Sequence, residues 1–110
     1  MVADDPIENL PEHPPKVSWS KSAYIAFQKA CEKIKESSPV NAEKVKATIF
    51  LMTRQLPDHP EKYPLDRFKK DNPGNYRAFE KYSYRVAYRH TDSEIKILRV
   101  RHVKQEPRSY

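Results

Sequence analysis

Tyr76-Arg77-Ala78-Phe79-Glu80, Tyr84-Arg85-Val86-Ala87-Tyr88-Arg89 and Ile95-Lys96-Ile97-Leu98-Arg99-Val100-Arg101-His102 follow one another between Asn75 and Pro107 with hardly a gap. Successive side chains of a strand point to opposite faces, so the period-two alternation in these runs marks each as a strand. The predicted strands cover Tyr76–Tyr82, Tyr84–His90 and Glu94–Val103, with Asp92-Ser93 at the last turn, and form an antiparallel sheet. In the middle strand Tyr84, Val86 and Tyr88 point one way, and Arg85, Ala87 and Arg89 the other. In the last strand, strict alternation sets Lys96, Leu98, Val100 and His102 against Ile95, Ile97, Arg99 and Arg101.

Upstream of the sheet the period changes. Lys16-Val17-Ser18-Trp19-Ser20 reads as a short strand, and Ser20 is placed to cap a helix running to about Glu36. Ala23, Tyr24, Phe27, Ala30, Cys31 and Ile34 recur at helical spacing and form one apolar stripe. Ser38 and Pro39 restart the chain as N-cap and first helical residue. Ala42, Val45, Ile49, Met52 and Leu56 then mark a second helix, which Pro57 and Pro60 end. A loop leads to Asn72-Pro73-Gly74-Asn75, a type II turn in which the only glycine supplies the positive φ. The fold class is α+β: a helical hairpin packed on a small, mainly antiparallel sheet, in the order strand-helix-helix-strand-strand-strand.

Bulk properties narrow the function. At 110 residues the chain is one domain, expected as an acidic, proline-rich flexible arm over 1–15 and a folded unit over 16–110. The arm carries Asp4, Asp5, Glu8 and Glu12 without a Lys or Arg, and the other 95 residues hold 21 basic and 11 acidic side chains, a net of +10. So basic a domain attracts polyanions. Cys31 is alone and reads as a small core residue, which suits a reducing compartment. No apolar run is long enough to span a bilayer, and the expected location is cytoplasmic, with no membrane partner.

The chemistry is narrowed further by what the sequence lacks. His13, His59, His90 and His102 show no metal-ligand spacing, and no glycine-rich nucleotide loop or nucleophile elbow is present, so neither metal nor cofactor is expected. The basic sheet remains. Arg77, Arg85, Arg89, Arg99 and Arg101 alternate with Tyr76, Tyr82, Tyr84 and Tyr88, a pairing of phosphate forks and stacking rings suited to single-stranded RNA. The tyrosines that share a face with Val86 read instead as core. A metal-free ribonuclease needs a proton acceptor for the 2′-hydroxyl and cations for the phosphorane, and His102 is the only histidine within the basic sheet. An outward Arg85 is expected to contribute little to the core.

Val17-Ser18-Trp19-Ser20-Lys21-Ser22-Ala23, the helical hairpin, Gly74-Asn75-Tyr76-Arg77-Ala78-Phe79-Glu80 and Ile97-Leu98-Arg99-Val100-Arg101-His102 together resemble the RelE/ParE superfamily of toxins over nearly all of residues 16–107. That resemblance implies a small sheet with a helical hairpin and a growth-inhibiting toxin neutralised by a cognate antitoxin protein. It implies one of two targets: mRNA on the ribosome, cut without a metal, or, in the ParE branch, DNA gyrase. A binding module that keeps only antitoxin recognition is the third possibility. In the ribosome-dependent ribonucleases an arginine opens the middle strand and a histidine ends the last, and Arg85 and His102 stand at those places. Lys69, Lys70, Arg77, Arg89, Arg99 and Arg101 are then the expected nucleic-acid or target contacts. Glu80 stands where RelE has an arginine. Ribosome-associated RNA cleavage is the first reading at this point, and gyrase inhibition the alternative.

Overall fold

The computed structural model describes residues 14–105 and 108–110. Its elements are β1 (Lys16–Trp19), α1 (Lys21–Ser37), α2 (Pro39–Gln55), a 3-10 turn over Leu56–Asp58, β2 (Tyr76–Lys81), β3 (Tyr84–His90) and β4 (Glu94–His102). The arm expected over 1–15 falls outside the described residues except for Pro14 and Pro15.

Both helix starts are set by serine. The Ala23 amide donates to Ser20 Oγ at 3.1 Å and the Asn41 amide to Ser38 Oγ at 3.2 Å, each satisfying an amide that has no partner within its helix. Pro39 follows its cap directly, where a missing N–H costs nothing. The Ser38 amide also closes α1 by donating to the Ile34 carbonyl, so one residue ends one helix and begins the next.

The sheet order is β1-β4-β3-β2, with β1 parallel to β4 and the other pairs antiparallel. The helical hairpin covers one face. Ala23, Phe27, Val45 and Ile49 from the helices meet Phe79, Val86, Tyr88, Ile95, Ile97 and Val100 from the sheet in one buried cluster. Each large apolar side chain removed from water there contributes about 1.5–3 kcal/mol. Of the predicted α1 stripe, Ala23 and Phe27 are buried and Cys31 and Ile34 pack at the core's margin. Tyr24 is 44% exposed, its ring edge-on to Trp19. On α2 the buried set includes Thr53, whose hydroxyl donates to the Phe50 carbonyl at 2.8 Å and so makes its burial tolerable.

The faces of β4 differ from strict alternation. Tyr88 pairs with Ile97 and Ala87 with Arg99, so Leu98 is an extra residue in a β-bulge. The inserted residue shifts the alternation by one. Ile95, Ile97 and Val100 therefore all lie on the core face, rather than Ile95 and Ile97 sharing a face with Arg99 and Arg101. The bulge gives β4 an apolar stripe toward the helices and a run of cations on the opposite side.

Candidate functional site

Arg85, Ala87 and Arg89 on β3, and Lys96, Arg99 and Arg101 on β4, occupy the face turned away from the helices. On β2, Tyr76, Ala78 and Glu80 share it. Arg77 does not. It pairs with Tyr88 on the core face, where its Nη1 donates to the Tyr63 carbonyl at 2.7 Å and its Nε to His90 Nε2 at 3.4 Å. That guanidinium holds the loop after α2 against the sheet. His90 is correspondingly kept below the ordinary histidine value, by burial first and then by the Arg77 charge.

The loop between α2 and β2 folds back over the basic face. Its course is fixed by Asn72, whose Oδ1 accepts from the Gly74 and Tyr76 amides and whose Nδ2 donates to the Tyr76 carbonyl. Gly74 at φ +110° supplies the predicted positive φ. The Asp66 amide donates to the Tyr76 carbonyl and the Ala78 amide to the Pro64 carbonyl, so residues 64–66 cover part of the β2 edge.

Asp66 is the centre of this face. Its carboxylate, with a side chain only 1% exposed, accepts from Arg85 Nη2 at 2.8 Å, the Phe68 amide at 3.1 Å and the Tyr110 hydroxyl at 2.6 Å. Burial works against its ionisation, but the hydrogen bonds from Tyr110, Arg85 and Phe68 and the Arg85 charge prevail and hold it below the ordinary carboxylate value. Arg85 is committed on its other side too, donating to Glu80 at 3.1 Å and lying over the Phe68 ring at 4.9 Å. Arg85 points away from the helices as expected, but its two carboxylate partners mean that it is not the weakly contributing residue the sequence suggested.

His102 sits apart from that network. It pairs in register with Tyr84, on the core side, and its ring meets the Tyr84 ring edge-on at 5.2 Å. Its Nδ1 accepts from the Lys104 amide at 3.0 Å, so the neutral ring carries its proton on Nε2. Arg85 pairs with Arg101, one register position away but on the opposite face. The two side chains expected to work as a catalytic pair therefore leave neighbouring strands on different sides, although both line the cavity at this end of the sheet.

The other expected contacts divide. Arg89 pairs with Glu94 at 3.3 Å. Lys69 donates to the Lys70 carbonyl and lies over the Tyr76 ring at 4.8 Å. Lys70 is exposed, and Arg99 and Arg101 are half-exposed. Asp66, Phe68, Arg85, Arg99, Arg101 and His102 line part of a cavity of about 100 Å³. Asp66 and Tyr110 escaped sequence reasoning, although an aspartate between basic residues in a proline-bounded loop was a weak local signal. Among the described residues no group of three or more His, Cys, Asp or Glu side chains is placed to hold a metal ion, and no helix is long and apolar enough to cross a membrane.

A family model described as the ParE toxin of the type II toxin–antitoxin system parDE matches residues 17–107. The fold is similar to a chain in the structure of the chromosomal ParDE toxin–antitoxin system from P. aeruginosa. The TM-score is 0.64 at 18% identity, with 83% of this chain and 98% of that one covered. No curated protein matches the chain.

Proposed function

The chain belongs to the ParE toxin family of type II toxin–antitoxin systems, and we propose that it arrests growth by binding and inhibiting DNA gyrase rather than by cutting RNA. One observation carries the choice between the two targets. Arg85 is held by Asp66 and Glu80, while the His102 ring packs on Tyr84. General acid–base catalysis needs groups free to meet a reacting centre. Both side chains line one cavity, but Arg85 is bound to two carboxylates and His102 accepts from the Lys104 amide with its ring against Tyr84. An inhibitor that acts by binding needs only a complementary surface, and Arg89, Lys96, Arg99 and Arg101 provide a basic one. The ParE branch of the superfamily, as the resemblance implies, acts in that way.

A cognate antitoxin completes the proposal. Ala26, Ala30, Ile34, Tyr84 and Val100 floor a groove between α1 and the sheet, and Lys29, Lys33 and Lys104 stand at its rim. An acidic, amphipathic segment complements both parts of that surface. Inducing the chain in cells tests the reading: DNA breaks and a damage response are expected while mRNA stays intact. Early mRNA cleavage with unchanged DNA topology would restore the ribonuclease reading. Co-expression of the neighbouring small open reading frame is expected to relieve the arrest and yield a co-purifying complex.

A further inference from the structure

Tyr110 lies beyond the residues matched by the family model, yet it is among the most completely held side chains on the basic face. The Arg99 guanidinium stands over its ring at 4.6 Å, the Lys69 ammonium approaches the ring at 5.7 Å, and Tyr76 meets it edge-on at 6.1 Å. Its hydroxyl donates to Asp66 Oδ2 at 2.6 Å. The backbone is paired in both directions: the Tyr110 amide donates to the Phe68 carbonyl, and the Lys70 amide to the Tyr110 carbonyl. Arg99 Nη1 also donates to the Arg108 carbonyl at 2.6 Å, so residues 108–110 form a strap across the face.

This slot accepts a particular kind of group. It takes a flat π-system against a guanidinium, with a hydrogen-bond donor on the ring's edge directed at a buried carboxylate. A nucleobase has both properties, since each base has a π-face and at least one N–H on its Watson–Crick edge, and its phosphates suit the adjacent arginines. The side chains of an acidic peptide satisfy the cations but are acceptors only, so none can replace the phenol O–H on the Asp66 carboxylate, which would repel them. We infer that the Tyr110 slot is a nucleobase-binding site for single-stranded nucleic acid, kept filled by the chain's own tyrosine. When the strap leaves, the base replaces the phenol between Arg99 and Tyr76, and a base N–H replaces the phenol O–H on Asp66. The inference does not depend on gyrase being the target, and its test uses the purified chain alone.

Fluorescence anisotropy with a short labelled single-stranded oligonucleotide, and with an abasic strand of the same length, reads the site directly. Tyr110→Ala leaves the net charge unchanged and empties the slot. It is expected to bind the base-bearing strand about tenfold more tightly than the wild type, in keeping with the gain from stacking one base, and the abasic strand no more tightly. Equal gains for both strands would reduce the effect to uncovered charge and overturn the base assignment, as would an unchanged or weaker affinity for the base-bearing strand. A gain of the same size for a polyglutamate peptide would also overturn it. Amide exchange on the wild-type chain covers the case in which the variant fails to fold. Saturation with the oligonucleotide is expected to speed exchange at the Tyr110 and Lys70 amides while leaving β3 unchanged, and protection or no change at those two amides contradicts displacement of the strap.

Discussion

Arg85→Ala is expected to unfold the protein's basic face before it reveals anything about toxicity. The Arg85 side chain is 17% exposed and its partner Asp66 1%. Stripping one partner from a buried ion pair costs about 3–5 kcal/mol when the other is left alone. Asp66 is not left alone here, because Tyr110 and the Phe68 amide still donate to it. The second pair, to Glu80, involves a carboxylate that is 48% exposed, and such a pair contributes at most about 1 kcal/mol. The expected loss is therefore about 2–3 kcal/mol, a large part of a small domain's stability. At about 4–8 °C per kcal/mol for a domain of this size, the melting temperature should fall by roughly 10–20 °C. Thermal and urea melts followed by circular dichroism measure it, and a double-mutant cycle with Asp66→Ala isolates the pair's own coupling. Arg85→Lys keeps the charge but loses the fork, and should fall between wild type and alanine. If Arg85→Ala melts within about 2 °C of the wild type, the Asp66 network does not hold the loop to the sheet. Toxicity lost together with stability in this variant is not evidence of a catalytic arginine.

The pH dependence of stability should have two limbs. His90 and Asp66 are both held below their ordinary values of 6.5 and 3.8, so each contributes stability above that value which is lost as pH falls through its folded pKa. Melting temperature should therefore decline first below about pH 6.5 and again below about pH 4, and Arg77→Met should shrink the first step without abolishing it, because burial is the larger cause. At the alkaline end, burial pushes Tyr88 up to about 12 from 10, so its contribution is complete below pH 10 and disappears as pH rises through 12. Tyr88→Phe should flatten that limb while losing the hydrogen bond to the Pro60 carbonyl. Tyr82 and Ser83 turn the β2–β3 hairpin at φ +51° and +68°, values that glycine and asparagine tolerate best. Ser83→Gly should stabilise the fold by about 1 kcal/mol, read as a higher urea midpoint.

Local signals were legible because they are repeated along the chain. Ser20 and Ser38 cap the helices they were expected to cap, Gly74 takes its positive φ, and Tyr84, Val86 and Tyr88 face inward as their alternation required. The face of β4 was not legible, since period two assumes an unbroken ladder and the bulge at Leu98 breaks it. Arg77 was misplaced for a related reason: the face of β2 depends on its pairing with β3, and the outward polar appearance of an arginine says nothing about a carbonyl waiting above it. The Asp66 network joins residues 19 and 44 positions apart, and no periodicity links such distant groups. Arg85 looked available because its partners lie outside its own strand.

The most direct test of inhibition without acid–base catalysis is a supercoiling assay in which purified DNA gyrase is titrated with the wild-type chain and with His102→Ala. Both should inhibit supercoiling to the same extent at the same concentration, and neither should cut mRNA on purified ribosomes. If the wild-type chain leaves gyrase untouched and cleaves ribosome-bound mRNA, with His102→Ala folded but inactive, the proposed mode of action is wrong.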